Sequence, residues 1–159
     1  MNRSIGPELS RHWQRLAGIP GGKWLFSRLL GRFVPYTGTL GARIDVLEPG
    51  HCVVRLVDRR KLRNHLHSVH AIALVNLGEI ATGLAVLSTV SENMRGILVD
   101  IHADYLKKAR GRLTATAEFE LPEPLLDNTS CEVEAQLKDQ SGETVTRVRA
   151  TWLIGYKTR

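Results

Sequence analysis

The amino-acid sequence predicts an α+β protein in which a six-stranded antiparallel sheet wraps around one long central helix. The first observation is that residues 69–90 are almost entirely apolar or small, which is typical of a buried helix. The second is that six segments have the alternation or the β-branched enrichment of strands, two before this run and four after it. Because one helix cannot be apolar on all sides in water, the sheet must curl around it.

The length of 159 residues, with 43% hydrophobic and 24% charged residues, predicts one globular domain that buries a core without disulfides or metals. Residues 1–34 are predicted to be an N-terminal helical extension, and residues 35–159 the single sheet-containing domain. Cys52 and Cys131 lie inside predicted strands without zinc-site spacing, which favours a reducing cytoplasm. The first residues lack the apolar core and cleavage site of a secretory signal, so a cytoplasmic location is expected.

Two short amphipathic helices are predicted in the extension, at 7–17 and 23–34, on either side of a Gly- and Pro-rich break. Apolar side chains recur in them at helical spacing. Their basic faces admit two interpretations, namely contact with a membrane surface or a solvated face on helices that pack over a sheet edge. The second interpretation is favoured.

The predicted strands are residues 39–48, 51–58, 96–106, 112–121, 130–138 and 143–156. Pro49-Gly50 is typical of a hairpin turn between the first two strands, and residues 139–142 of a tight hairpin between the last two. The basic segment 59–63 connects the second strand to the helix. A second copy would most readily cover the remaining sheet edge and face, so a homodimer or a dimer of dimers is expected.

Glu79 is the only formally charged residue between 69 and 90. A carboxylate in apolar surroundings is costly unless it is paired or neutralised. Two interpretations are therefore open, a catalytic carboxylate or one satisfied by a hydroxyl or backbone group at a subunit interface. His70 lies two and a half turns earlier, so the two side chains point to different faces of the helix. If both are functional, the helix start lies beneath the substrate or the second member comes from another subunit.

The start of the central helix offers backbone N–H groups near His70, Ala71 and Ile72 that have no partner within the helix. They carry the positive end of the helix dipole and can polarise a carbonyl as an oxyanion hole. Asn64 and Ser68 immediately precede them and can cap the helix or hold a water. A plain turn role for Asn64 is equally open.

Several other classes of site are disfavoured. His65, His67 and His70 lie close together in the sequence and raise the possibility of a metal site. No further carboxylate or cysteine completes a ligand set, so no metal is expected. No GxSxG elbow or glycine-rich phosphate loop occurs. Polar residues within 69–90 argue against a membrane span. The net charge of +6 favours anionic partners, yet 6% aromatic residues offer little stacking surface, so no nucleic acid is expected.

These residues resemble the hotdog-fold acyl-CoA thioesterases, in particular the phenylacetate-degradation type and its less characterised relatives. In that family the signature is an Asn, six residues later a His that begins His-Gly-Gly, and nine residues later an Asp or Glu in the central helix. Asn64, His70 and Glu79 stand at those spacings. Residues 104–111, DYLKKARG, are similar to the strand that follows the central helix in that family and kinks near the cofactor. The resemblance covers about residues 35–156, and the N-terminal helices resemble an extension found in one branch.

The resemblance implies a homo-oligomeric hotdog protein that hydrolyses a thioester presented by coenzyme A or an acyl-carrier protein. Glu79 is then the general base or nucleophile, and Asn64 orients water or substrate. The amides of Ala71 and Ile72, with His70 nearby, would receive the oxyanion across a subunit interface from Glu79. Coenzyme A enters only as part of the substrate, so no separate cofactor is expected.

Lys107, Lys108 and Arg110 are candidates for binding the phosphates of coenzyme A, although solvated turn charges are the competing interpretation. Ala71-Ile72 replaces the Gly-Gly of the family motif, so a branched side chain stands where the thioester approaches the backbone. This replacement keeps open a non-catalytic acyl-CoA or lipid-binding protein. A basic protein of nucleic-acid or membrane surfaces is the remaining alternative.

Overall fold

The structure, a computed structural model, describes residues 4–126 and 128–157. Four α-helices, six strands and a 3₁₀ turn at Arg60–Leu62 make up the described chain. In chain order the elements are α1 (Ile5–Leu16), α2 (Gly22–Phe33), α3 (Pro35–Gly38), β1 (Arg43–Glu48), β2 (His51–Val57), α4 (Ala71–Leu87), β3 (Met94–Tyr105), β4 (Arg112–Glu118), β5 (Thr129–Lys138) and β6 (Thr144–Tyr156).

The predicted α+β class and six-stranded antiparallel sheet are confirmed, but the N-terminal segment differs from the prediction. A third short helix, α3, follows the two predicted ones, and β1 begins at Arg43 instead of residue 39. Pro35 lies at the first position of α3, where its fixed φ and missing N–H suit a helix start. Residues 39–42 of the predicted strand instead continue from α3 as a turn, in which the Gly41 N–H donates to the Gly38 carbonyl at 3.1 Å.

The six strands form one sheet in the order β1-β2-β4-β5-β6-β3, and every neighbouring pair is antiparallel. The 17-residue helix α4 contacts all six strands. Strand alternation supplies the apolar face beneath the helix, because successive side chains point to opposite sides of a sheet. In β5, for example, Cys131, Val133, Ala135 and Leu137 are buried, and the residues between them are exposed.

Burial accounts for the apolar character of α4. Eleven of its residues are buried in the fold, from Leu74 to Val86. In the part of the chain that the structure describes, no helix is long and apolar enough to cross a membrane.

The helix α2 covers the β1 edge of the sheet. The Ser27 hydroxyl accepts a hydrogen bond of 2.9 Å from the backbone N–H of Ile44, and the Lys23 ammonium donates one of 2.6 Å to the Asp45 carbonyl. Trp13 of α1 packs edge-on against Phe26 of α2, with ring centroids 5.2 Å apart. This confirms the interpretation that the helices pack over a sheet edge. The opposite edge, β3, has a strand neighbour on one side only, which is β6.

Gly78 allows α4 to lie directly on the sheet. A Cβ atom at this position would be 2.4 Å from the Cβ of Val148 in β6, closer than real Cβ contacts come. Glycine in the middle of a helix costs about 1 kcal/mol relative to alanine. The close approach of helix and sheet explains why glycine occupies this position.

Replacing Gly78 with alanine should lower the free energy of unfolding by about 1–3 kcal/mol, because overpacking forces helix and strand apart. Urea unfolding followed by circular dichroism measures this change. Gly18→Ala is the matched control, since a Cβ there meets no atom within 4 Å. It should leave stability unchanged or slightly higher. Equal midpoints for Gly78→Ala and the unmodified protein would contradict the close packing.

Candidate active site

The loop before α4 is organised by the Asn64 side chain. Its Oδ1 atom accepts hydrogen bonds from the backbone N–H of Leu66 at 2.9 Å and from the Ser68 hydroxyl at 3.2 Å. The backbone N–H of Asn64 in turn donates to the Ser68 carbonyl at 2.8 Å. The side-chain oxygen therefore builds the turn, and only the Nδ2 group is left to contact a substrate.

His70 is the N-cap of α4 rather than a residue of its first turn. Its Nδ1 atom accepts a hydrogen bond of 3.1 Å from the backbone N–H of Ile72. A neutral His70 must then carry its proton on Nε2. The Ile72 amide is consequently occupied, whereas the Ala71 amide has no hydrogen-bond partner among residues 4–126 and 128–157. The Ile72 side chain is 53% exposed.

Two backbone hydrogen bonds fix the position of this helix start. The Val69 N–H donates to the Ala109 carbonyl at 2.8 Å, and the His70 N–H donates to the Leu62 carbonyl at 2.7 Å. The helix start is thus tied both to the segment that follows β3 and to the 3₁₀ turn that precedes the loop.

A cavity of about 340 Å³ lies between the loop, the helix start and the end of β3. We call it the helix-start pocket. It brings together five of the predicted site residues, namely Asn64, Ser68, Ala71, Lys107 and Lys108. The other lining residues are Val69, Leu74, Tyr105, Leu106 and Ala109. His70, Ile72, Glu79 and Arg110 do not line it.

The three predicted phosphate-binding cations have different environments. Lys107 is paired with Glu143 and, at 3.2 Å, with Asp139, and these carboxylates raise the pKa of its ammonium group. Arg110 donates to the carbonyls of His67 and Leu66 at 3.3 Å each, so it braces the loop. Lys108 is exposed and lies in the helix-start pocket.

Tyr105 is a site residue that sequence reasoning missed. Its hydroxyl donates a hydrogen bond of 3.2 Å to the carbonyl of Ala71, and burial raises the pKa of this phenol. It thereby joins the end of β3 to the helix start. The available signal was its position immediately before the predicted cations at 107 and 108, at the end of a strand.

Glu79 lies on a different surface of α4. Its carboxylate is half-buried, and burial raises its pKa. In the described ranges it has no hydrogen-bond or ion-pair partner. It lines a separate groove of about 230 Å³, which we call the Glu79 groove. The other lining residues are Ile5, Leu9, Leu30, Phe33, Val34, Thr37, Ile80, Gly83, Leu84, Leu87 and Trp152.

One chain thus separates the two halves of the predicted site. The helix-start pocket and the Glu79 groove share no lining residue among those described. Glu79 lies nine positions after His70, which corresponds to roughly 13 Å along the helix axis. Within residues 4–126 and 128–157, no three His, Cys, Asp or Glu side chains come close enough together to hold a metal ion.

The geometry of the two halves indicates complementary chemistry. The helix-start pocket offers the backbone amide of Ala71 and the ammonium of Lys108, which suit oxygen atoms and anionic groups. The Glu79 groove offers one carboxylate among apolar side chains. A carboxylate with a raised pKa and no charged partner is suited to taking a proton or attacking a carbonyl carbon.

Comparison with known proteins identifies a family. A model of the family described as Domain of unknown function (DUF4442) matches residues 22–154, which include both halves of the site. No curated protein matches the chain.

Solved structures share the fold. The crystal structure of a genomics target is 26% identical, covers 94% of this chain and 99% of its own, and has a TM-score of 0.82. A thioesterase family protein from Silicibacter pomeroyi is 25% identical, covers 82% of this chain and 96% of its own, and has a TM-score of 0.70. A hypothetical thioesterase from Streptococcus pneumoniae TIGR4, solved with coenzyme A, is 22% identical, covers 74% and 91%, and has a TM-score of 0.61.

Replacing Glu79 with glutamine should raise the melting temperature at neutral pH. Because burial raises the pKa of Glu79, the folded chain favours the protonated form, and ionisation above that pKa costs stability. The gain should shrink as the pH falls and the wild-type carboxyl takes up its proton. Thermal unfolding at neutral and acidic pH measures both effects.

The control for this measurement is Glu132→Gln, which changes an exposed carboxylate on β5. It should leave the pH dependence of the melting temperature as in the wild type. A Glu79→Gln protein that melts at the wild-type temperature at neutral pH would show that the carboxylate is already well stabilised.

Proposed function

The chain belongs to the DUF4442 family, and we propose that it is an enzyme that hydrolyses acyl-CoA-type thioesters. The observation that carries the proposal is Glu79, a half-buried carboxylate in an apolar groove without a charged partner in the described chain. Retaining such a group lowers stability, so it needs a chemical reason. The thioesterase family protein among the structural neighbours supports the reaction class, and the hypothetical thioesterase solved with coenzyme A supports the substrate class.

The proposed reaction uses Glu79 as a general base toward water. Water loses a proton to the Glu79 carboxylate and attacks the thioester carbon. The C–S bond then breaks, and the sulfur takes that proton back from Glu79 and leaves as the thiol. Direct attack by the carboxylate, followed by hydrolysis of the resulting anhydride, is the other route open to this group. The Ala71 amide is the proposed main oxyanion donor, because His70 occupies the Ile72 amide.

The thiol half of the substrate is assigned to the helix-start pocket. Lys108 is the proposed partner of the coenzyme A phosphates, since Lys107 is held by Asp139 and Glu143 and Arg110 by the loop carbonyls. The Nδ2 group of Asn64 is proposed to orient the thioester or the water. Ser68 supports this role by holding the Asn64 oxygen.

A homodimer is part of the proposal, because a single chain keeps Glu79 apart from the helix start. The β3 edge supports this assembly. It has no second strand neighbour in the described chain, and the side chains of Ile97 and Val99 on it are 47% and 54% exposed. Such an edge is a template for pairing with another strand. Glu79 of one subunit would then complete the site at the helix start of its partner, in the hotdog arrangement.

A non-catalytic acyl-CoA-binding protein is the second candidate, and one specific observation favours it. The motif of the hotdog thioesterases that this chain resembles has glycines where this chain has Ala71-Ile72, and the Ile72 amide is already bonded to His70. A protein that binds the thioester but does not polarise its carbonyl would need neither amide.

Glu79→Gln should reduce acyl-CoA hydrolysis by about 10²–10⁴-fold, the usual contribution of a positioned base. Release of free thiol from a panel of short, long and aromatic acyl-CoAs measures it, with Glu132→Gln as the control that retains activity. In the wild type, kcat/KM should fall toward acidic pH with a midpoint above that of an ordinary glutamate, because the active base is the deprotonated form. Saturable binding without turnover by the wild type would favour the second candidate instead.

Mixing two inactive variants tests the shared site. Glu79→Gln and Asn64→Asp change opposite halves, because the aspartate keeps the loop-forming oxygen but lacks the Nδ2 group proposed to orient the thioester or the water. A heterodimer of the two therefore contains one site with neither change. Random pairing makes half of the dimers heterodimers, so co-refolded protein should recover about a quarter of wild-type activity. The separately refolded variants are the controls. If all site residues came from one chain, the mixture would remain as inactive as its components.

A further inference from the structure

The N-terminal helices adjoin a second part of the fold besides the β1 edge. Together with α4 they form the walls of the Glu79 groove. Ile5 and Leu9 come from α1, and Leu30 and Phe33 from α2, whereas the opposite wall consists of α4 side chains and Trp152 of β6. Apart from Glu79 and Thr37, every side chain that lines the groove is apolar.

A second groove, also mainly apolar, continues from the first. It has a volume of about 270 Å³ and lies between α1 and α2, and Glu8 and His12 are the two polar residues in its lining. Four residues line both grooves, namely Ile5, Leu9, Leu30 and Phe33. The two therefore form one apolar surface that begins at the Glu79 carboxylate and runs outward between the N-terminal helices.

We propose that this surface binds the acyl chain of the substrate and that the N-terminal extension sets chain-length specificity. The inference rests on the proposed function. A thioester of coenzyme A has one polar, anionic end and one apolar end, and the reacting carbon lies where they join. The helix-start pocket suits the first end, the double groove suits the second, and Glu79 lies at the groove end where the reacting carbon must be.

The size of the groove indicates an acyl group of at least medium length. A volume of 230 Å³ accommodates roughly seven or eight groups of water size at about 30 Å³ each. A chain of about eight carbons therefore fills the Glu79 groove, and longer chains continue into the α1–α2 groove. An acetyl group would leave most of the apolar lining in contact with water.

Phe33 is the residue that most directly indicates an apolar binding site. It lines both grooves, yet 67% of it is exposed to solvent. Leu29 and Val34 beside it are also exposed. A contiguous exposed apolar patch marks a binding site more often than it marks ordinary surface. An acyl chain in the groove would cover this ring.

The test compares Phe33→Ala with Trp24→Ala. Both remove an exposed aromatic ring from α2, but Trp24, which is 58% exposed, lines neither apolar groove. We expect Phe33→Ala to lower kcat/KM for octanoyl-CoA about tenfold, since about 1.4 kcal/mol of apolar contact is lost. The loss of kcat/KM with acetyl-CoA should be smaller than with octanoyl-CoA, and Trp24→Ala should match the wild type with both substrates.

The wild-type profile over acetyl-, butyryl-, octanoyl- and palmitoyl-CoA is the second measurement. Each added methylene that the groove buries should raise kcat/KM by up to about fourfold. Leu30→Trp, which fills the groove, should shift the optimum to shorter chains. A wild-type circular dichroism spectrum and urea-unfolding midpoint for that variant show that it is folded.

Direct binding separates failure of this inference from failure of the proposed function. Calorimetric titration with 1-octanol, which carries no charge to be repelled by Glu79, should show binding to the wild type and to Trp24→Ala, and weaker binding to Phe33→Ala. If binding follows this pattern but no thioester is hydrolysed, the result supports the acyl-binding groove and refutes the proposed enzymatic activity. Hydrolysis with a flat chain-length profile that Phe33→Ala does not alter overturns the inference and leaves the enzyme intact. A change in oligomeric mass in Phe33→Ala, with an unaltered profile, means that a second copy occupies the groove and also overturns it.

Discussion

The close packing of α4 on the sheet is the constraint on which the rest of the structure depends. The helix contacts all six strands, and at Gly78 its backbone lies against Val148 without room for a side chain. Successive helical residues are about 100° apart around the axis. With Gly78 directed at the sheet, Glu79 must point away from it. The packing of the helix therefore determines where its one charge emerges, at a surface walled by the N-terminal helices.

The same helix carries both halves of the proposed site at fixed separation. Its start is tied to Leu62 and Ala109 by backbone hydrogen bonds and capped by His70. Sites on rigid elements are positioned more precisely than sites on loops. The cost of this rigidity is that one chain cannot bring Glu79 to its own helix start. In the dimer we propose, the β3 edge would supply the missing half by pairing with the same edge of a second chain.

Much of the architecture could be predicted from periodicity. The apolar run and the six alternating segments predicted the helix and strands, because burial on one face leaves a repeating pattern in the sequence. The turn at Pro35–Gly38 was missed, since a single helical turn has no periodicity to detect. Of the predicted site residues, Asn64, Ser68, Ala71, Lys107 and Lys108 line one pocket. Arg110 braces the loop instead, and sequence spacing cannot distinguish these two outcomes.

The sequence by itself determined the fold class and the isolation of Glu79, because periodicity and the cost of an apolar environment for a carboxylate are local properties. Only the tertiary structure decided which of the candidate groups already have ion-pair or hydrogen-bond partners within the chain. Lys107 is neutralised by carboxylates more than thirty residues away, and the Ile72 amide is taken by the His70 ring. The N-terminal helices reach the Glu79 groove only because α1 packs on α4 and α2 packs on β1 beside it. Contacts between distant segments have no signature in local pattern, so the walls of the site become visible only in the folded chain.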